Sequence, residues 1–266
     1  MPPADAAAPV RPRPIVTLTS DFGTVDSYVA VMKAALLRTC PEARLIDVTH
    51  NVPRHDILCG SITLERAVDG FLPGTVHLAV VDPGVGTDRR ILVARVKEQT
   101  IVCPDNGLVT WAWRRHGGGR AFELKWRPAR TPSDTFHGRD IMAPAAGMIA
   151  SGTHIGDVAK VIDDPVLLDV TPTDGSAGRA RVIHLDVFGN ATTNLSRELL
   201  GERRIRAVRA SGRDLGRLRR TYWDVAPGKP LALIGSSGLL EVAVRDGSAA
   251  QELGVRVGDE VAVEVE

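Results

Sequence analysis

The feature that most constrains this chain is a change of rhythm past its middle. From residue 15 to residue 151, short β-branched runs alternate with stretches whose apolar residues recur at helical spacing. Residues 15–19, 44–48 and 76–81 read as strands, with helices at 27–37 and 57–71 between them. Strands at 91–96 and 100–103 flank a tight turn, and 108–115 and 141–151 read as helices. Strand–helix alternation predicts an α/β domain, its sheet covered by helices. After residue 179 most segments read as strands, at 182–187, 205–210, 231–235, 239–244 and 260–265. That predicts a second, smaller, mainly β domain.

The boundaries follow from composition. Residues 1–14 are rich in Ala, Pro and Arg and carry no apolar run, so they read as a disordered arm and not as a secretory signal. The α/β domain takes 15–165. A linker covers 166–179, where Pro172 precedes a run of Thr, Asp, Gly, Ser and Ala. The β-rich domain takes 180–266.

Charge narrows the partners. Lys and Arg number 33 against 32 Asp and Glu, a formal net charge of +1. That balance gives no case for a nucleic-acid backbone or an anionic membrane. No apolar run approaches the ~18 residues of a membrane span. Cys40, Cys59 and Cys103 lie far apart without metal-ligand spacing. They read as reduced, buried thiols, which suits a cytoplasmic protein without a metal.

Several polar clusters sit where strands end. Asp21 and Asp26 flank a glycine turn between the first strand and the first helix, the place where α/β proteins bind ligands. Asp26 also fits a helix N-cap. The run from Asp82 through Gly84 and Gly86 to Arg89 has the glycines of a phosphate loop. It leads into a strand, however, and an anion site of that kind needs a helix N-terminus. A glycine turn with solvated charges is the other reading. His137 lies between Phe136 and Gly138 at a helix start. Asp186, Phe188 and Asn190 form one turn-like cluster, and Ser236 with Ser237 another.

Taken in order, the motifs Asp21-Phe22-Gly23, Asp47-Val48-Thr49-His50, Asp82-Pro83-Gly84-Val85-Gly86, Pro104-Asp105-Asn106-Gly107, Phe136-His137-Gly138-Arg139-Asp140, Phe188-Gly189-Asn190 and Ser237-Gly238-Leu239-Leu240-Glu241 resemble one family. It is the S-adenosylmethionine hydrolases, or hydroxide adenosyltransferases, relatives of the fluorinase and chlorinase. The resemblance runs from Ile15 to Val265. It implies a barrel-like second domain and a homotrimer with sites where neighbouring subunits meet. It implies hydrolysis of S-adenosylmethionine to adenosine and methionine by in-line attack of water or hydroxide at ribose C5′. S-adenosylmethionine is then the substrate, and no cofactor is needed.

The resemblance assigns Asp21 to the ribose diol, Asp26 and Asp186 to the methionine ammonium, Ser236 to its carboxylate, and Phe188 and Asn190 to adenine. It assigns catalysis to Asp82, Arg89 and His137. An imidazole is the better proton acceptor near neutral pH, and a carboxylate beside an arginine is a weaker base and a better orienter of water; which of the three activates the water stays open. The halogenases carry a tyrosine at the Asp82 position, and the fluorinase a serine at the Gly138 position. The chain therefore sides with the water-using branch. Halide-dependent adenosyl transfer is the competing enzymatic reading. A sensor that binds S-adenosylmethionine or adenosine without turnover, or a silent scaffold, are the others. Two positions depart from the pattern: His55, where relatives carry an aromatic ring, and Ser237, where the fluorinase carries an arginine.

Overall fold

A computed structural model describes residues 13–170 and 178–265, in two compact units that meet in sequence between Leu168 and Asp169. The expected arm lies, but for its last two residues, outside the described residues, as does the central part of the expected linker.

The first unit is a three-layer α/β sandwich. In chain order its elements are β1 (Ile15–Ser20), α1 (Tyr28–Thr39), β2 (Arg44–Thr49), α2 (Ile57–Gly70), β3 (Val76–Val80), β4 (Ile91–Val96), β5 (Gln99–Pro104), α3 (Thr110–Arg115), β6 (Arg120–Leu124), α4 (Ala143–Ala150), α5 (Ile155–Val158) and β7 (Ala159–Ile162). The sheet runs β2-β1-β3-β5-β4-β6-β7. β1 pairs parallel with β2 and β3, and β3 with β5. The far side, β4, β6 and β7, is antiparallel. Buried strands with helices on both faces are what a near-continuous apolar run such as β3 requires. Val16 and Leu18 face Met32 and Leu36 of α1 and Ala143 and Ala146 of α4. On the other face, Ala79 and Leu92 meet Leu64 and Val68 of α2 and Ala112 of α3.

The hairpin β4–β5 turns on Lys97 and Glu98, both at positive φ (49° and 58°). That twist matches the right-handed twist of the strands. β6 and β7 lie outside the predicted strands, and two helices begin later than predicted. Residues 108 and 109 precede α3, and the stretch from Gly138 to Met142 is a π-helical turn leading into α4.

The second unit contains β8 (Arg179–Leu185), β9 (Ala191–Ser196), α6 (Arg197–Leu200), β10 (Ile205–Ala210), β11 (Arg213–Gly216), β12 (Pro230–Ile234), β13 (Leu239–Val244), α7 (Ala249–Glu252) and β14 (Glu260–Val265). Its order is β11-β10-β14-β8-β9-β13-β12. Past β11, the Arg219 N–H donates to the Ala232 carbonyl of β12 at 2.8 Å, which brings the sheet's two ends together. The result is a nearly closed antiparallel barrel that leaves little free edge. Val182, Leu195, Val208, Leu240, Val242 and Val261 fill it. β8 stops at Leu185, two residues short of the expected strand, because Asp186 begins a turn. β9 and β11 were not anticipated.

Candidate active site

The carboxyl ends of β1 and β3 open onto a cleft of about 270 Å³ in the first unit. It is lined by Asp21, Asp26, His55, Asp82, Phe136 and His137, among others. Clefts at this edge of a parallel sheet are usual, because the loops there leave the helices on either side. Phe22, Tyr28 and Phe136 form a cluster of rings, with centroids 5.4 to 6.0 Å apart and mostly edge to face. Phe22 and Phe136 lie inside the motifs Asp21-Phe22-Gly23 and Phe136-His137-Gly138-Arg139-Asp140, and Tyr28 follows the Asp21–Asp26 turn by two residues; none of the three rings was expected to have a role. Their signal was an aromatic side chain within a few residues of each candidate carboxylate or imidazole.

Three segments meet to build the polar wall. Asp82 follows β3, Arg89 precedes β4, and His137 precedes the π-helical turn. The Arg89 side chain donates through Nε to Asp82 Oδ1 at 2.7 Å and through a terminal nitrogen to Asp82 Oδ2. The side chains of Asp82 and Arg89 are only 6% and 10% exposed, so this is a desolvated, two-pronged ion pair. The same Arg89 nitrogen lies 3.1 Å from His137 Nδ1. The motif glycines explain the approach. Gly86 has φ of +81°, and a Cβ there would lie 2.5 Å from the Asp134 carbonyl oxygen. Only glycine lets the 82–89 loop sit against the segment that carries His137. Asn106 holds the loop's root by donating to the Val81 carbonyl at 2.9 Å. The Pro104-Asp105-Asn106-Gly107 motif thus supports the site from behind.

This geometry reverses one expectation. A guanidinium can only donate, so His137 Nδ1 must accept. Burial, then the neighbouring Arg89, holds the imidazole below the usual histidine range, so the ring is neutral near pH 7. Its proton therefore sits on Nε2. His137 offers a donor, and its one acceptor is already engaged by Arg89. The ring is arranged to hold an oxygen by donating to it, not to take a proton from it.

Asp21 and Asp26 line the same cleft. Asp21 Oδ2 accepts from the His55 N–H at 2.9 Å, while Oδ1 accepts from no described residue. His55 adopts φ of 63°, which turns its N–H toward Asp21. Asp26 is exposed and does not cap α1. Ser27 is the N-cap, without a side-chain bond, so the Asp26 carboxylate is free of described partners.

In the second unit, Asp186, Phe188 and Asn190 share one tight turn between β8 and β9. Asp186 Oδ1 accepts from the N–H groups of Phe188 and Asn190, both at 2.9 Å. Its Oδ2 accepts from Asn190 Nδ2 at 3.2 Å. Phe188 is 73% exposed, and Asn190 is buried. Ser236 lies exposed on the hairpin between β12 and β13. Tyr222, which the sequence reading passed over, donates to Glu241 Oε1 at 2.5 Å; its phenol is pushed up by burial and by that carboxylate, with Asp186 adding to the shift.

Comparison with known proteins agrees with both units. Residues 16–159 match the SAM hydroxide adenosyltransferase N-terminal domain, and residues 180–262 match the C-terminal domain of the same family. The chain is 41% identical to an (R)-S-adenosyl-L-methionine hydrolase of Salinispora tropica, over 96% of this chain and 99% of the relative. A fluorinase of an Actinoplanes species is more distant, at 27% identity over 71% of this chain and 74% of the relative. The crystal structure of an uncharacterized conserved protein from Thermotoga maritima superposes with a TM-score of 0.84 at 35% identity, covering 94% of this chain and 99% of that one. With both of its domains matched in order, the chain belongs to the SAM hydroxide adenosyltransferase family.

Proposed function

We propose that this protein hydrolyses S-adenosyl-L-methionine to adenosine and L-methionine. The observation that carries the proposal is the joined Asp82–Arg89–His137 set, facing a cleft that also holds Asp21 and Asp26. A new O–C5′ bond forms as the C5′–S bond breaks, and the sulfur keeps the electron pair. The thioether leaves neutral, so no acid is needed to expel it. The protein's work is to hold an oxygen in line with C5′ and strip its hydration.

His137 Nε2–H donates to that oxygen, and Asp82 accepts one of its hydrogens. Attack by water gives a protonated alcohol, a far stronger acid than any carboxylic acid. A weakly basic carboxylate is therefore enough to take the proton, and Asp82 needs no help from His137. The cationic substrate itself favours a hydroxide-like nucleophile beside it. A buried carboxylate at Asp82 repels chloride or fluoride, so halide transfer is not the favoured reaction.

Binding is divided between the units. Asp21 takes the ribose hydroxyls. Asp26 and Asp186 take the ammonium, and Ser236 the carboxylate. Phe188 and Asn190 take the adenine, the ring by stacking and the amide by hydrogen bonding. On these assignments the first unit's cleft, about 270 Å³, holds the ribose and the reacting centre, and the second unit's residues hold the adenine. A homotrimer completes the reading, one copy's first unit working with a neighbour's second. Val187 and Phe188, 92% and 73% exposed, are apolar surface that assembly would cover. The reaction uses no cofactor or metal. Three free, buried cysteines suit the cytoplasm, and no helix among the described residues is long and apolar enough to cross a membrane.

Incubation in ¹⁸O-water tests the reaction: the adenosine 5′-oxygen should carry the label, and excess halide should yield no 5′-halo nucleoside. Unlabelled enzymatic adenosine would overturn direct attack by water. For the assembly, mixing inactive Asp21→Ala and Asn190→Ala subunits should restore activity, and an active monomer by light scattering would refute the trimer.

A further inference from the structure

The Asp47-Val48-Thr49-His50 motif does not line the cleft, yet its side chains form a connected line behind it. Ser20 is fully buried at the end of β1, and its Oγ lies 2.7 Å from His50 Nδ1. His50, 4% exposed, lies with Nε2 3.1 Å from Asp47 Oδ1, an ion-pair distance at which Nε2 makes no hydrogen bond to a described residue. Lys33 of α1 donates to Asp47 Oδ2 at 2.6 Å. At the other end the Phe22 N–H reaches Ser20 Oγ at 3.4 Å.

Partial burial raises the Asp47 carboxyl, but Lys33 and the neighbouring His50 outweigh it and hold the group below the usual carboxylate range. With the proton of a neutral His50 on Nε2, toward that carboxylate, Nδ1 accepts from the Ser20 hydroxyl. The Ser20 lone pairs are then left for Phe22 N–H. The line ends on the peptide that follows Asp21. Backbone bonds tie the same loops together: Gly23 N–H donates to the His50 carbonyl at 2.7 Å, and Val52 N–H to the Ser20 carbonyl at 3.3 Å. A Ser–His–Asp order of this kind resembles a nucleophilic triad, but a hydroxyl without exposed surface cannot meet a substrate.

We propose that Lys33, Asp47, His50 and Ser20 form a positioning line, buried at Ser20 and His50, that fixes the 20–23 loop and so presents the free Asp21 Oδ1 to the ribose diol. The residues act through Asp21 and touch no substrate. The proposal rests on the reading of Asp21 as the ribose ligand. A line of close polar contacts anchored on the buried Ser20 and His50 restricts the loop's arrangements, and removing a member permits others.

Calorimetry on the full-length protein with adenosine and with 2′,3′-dideoxyadenosine tests it. The wild type should prefer adenosine by about tenfold or more, from hydroxyls bonded to a charged group. In Ser20→Ala and His50→Phe that preference should fall to about twofold, through weaker adenosine binding alone. Asp47→Asn, at a side chain 43% exposed, should keep the fold and lower the preference in the same direction. Adding Asp21→Ala to any of these should cost no more than the preference that remains, about twofold in Ser20→Ala and His50→Phe. Equal weakening of both nucleosides, or no change in either, would overturn the positioning role. If the wild type does not prefer adenosine, the Asp21 reading itself fails, and the proposal with it.

Discussion

In the first unit the polar set is assembled from three stretches, Asp82, Arg89 and His137, that only the tertiary fold brings together. In the second unit Asp186, Phe188 and Asn190 come from five consecutive residues, and the turn satisfies itself. The first arrangement is buried, and its members depend on one another. The second is local, with its aromatic ring exposed. The contrast matches the two tasks. Holding a reacting oxygen in line tolerates little movement, and desolvated charges with fixed partners supply that rigidity. Gripping the non-reacting ends of a ligand requires groups that stay accessible. Changes in the Asp82–Arg89–His137 set should therefore lower the rate of the bound complex, and changes in the Asp186 turn should weaken binding.

The largest effect is expected from breaking the buried pair. Arg89→Ala leaves Asp82 charged and unpaired in a site where its side chain is 6% exposed. Loss of a buried ion-pair partner costs about 3–5 kcal/mol, so the melting temperature should fall as well as activity. His137→Ala strands no charge, whereas Asp82→Ala leaves the Arg89 guanidinium, 10% exposed, unpaired and should also lower the melting temperature; each should lower single-turnover rates by about 10²–10⁴. Their double variant should retain about the same residual rate, because groups that act as a unit are not additive. Calorimetry should show substrate affinity nearly unchanged. Losses that multiply in the double variant would show independent residues. Collapse of binding with a preserved bound-state rate would move the set from catalysis to substrate binding.

The second unit should respond differently. Asp186→Ala removes three accepted hydrogen bonds and the charge, and should raise KM about tenfold while kcat changes little. Asp186→Asn keeps an oxygen for the Phe188 and Asn190 N–H groups but loses the charge. If Asp186 grips the ammonium, the Asn variant should bind as poorly as the Ala variant. Near-normal KM for Asp186→Asn would make the carboxylate a turn-former only.

The same contrast explains what the sequence revealed. The strand–helix alternation made the parallel half of the first sheet legible, since buried strands such as β3 are continuous apolar runs bounded by turns. β6 escaped because Arg120 and Glu123 interrupt its apolar residues. β9 escaped because its buried residues include Thr192, Thr193 and Asn194, whose polarity reads as a loop. Their side chains find partners only in the fold: Thr193 donates to the Leu240 carbonyl, and Asn194 accepts from Arg181 N–H. The candidate residues were visible as motifs, and the local turn around Asp186 was visible as a turn. The proton arrangement at His137 was not, because it depends on an arginine far away in sequence.

That proton arrangement sets the pH response. Burial and Arg89 lower the folded-state pKa of His137, and burial lowers that of His77. A lowered histidine pKa means that the unfolded chain binds more protons as pH falls below about 6.5. Stability from these groups is thus complete above that pH and is lost progressively below it. Activity should be level from pH 8 to about 6.5, then fall several-fold as His137 takes a second proton and loses its bond from Arg89. His137→Gln should flatten this limb at a lower rate. A rise in activity on acidification, or an unchanged acid limb in His137→Gln, would refute the neutral, Nε2-protonated donor. Variants of the Asp186 turn should leave the limb in place.

The smallest effect belongs to Ser236, and it probes the comparison at its weakest point. Ser236 is exposed on the β12–β13 hairpin, and its hydroxyl bonds no described residue. Removing it strands no buried partner, so Ser236→Ala should leave the melting temperature unchanged. If the hydroxyl donates to the methionine carboxylate, an exposed bond of that kind is worth about two- to fivefold in affinity. KM should rise by that factor at constant kcat. The effect should also be selective: inhibition by L-methionine should weaken, and inhibition by adenosine should not. Inhibition constants for the two products measure this directly. Equal loss for both would mean that the hairpin as a whole has shifted, and the second unit would then be as interdependent as the first.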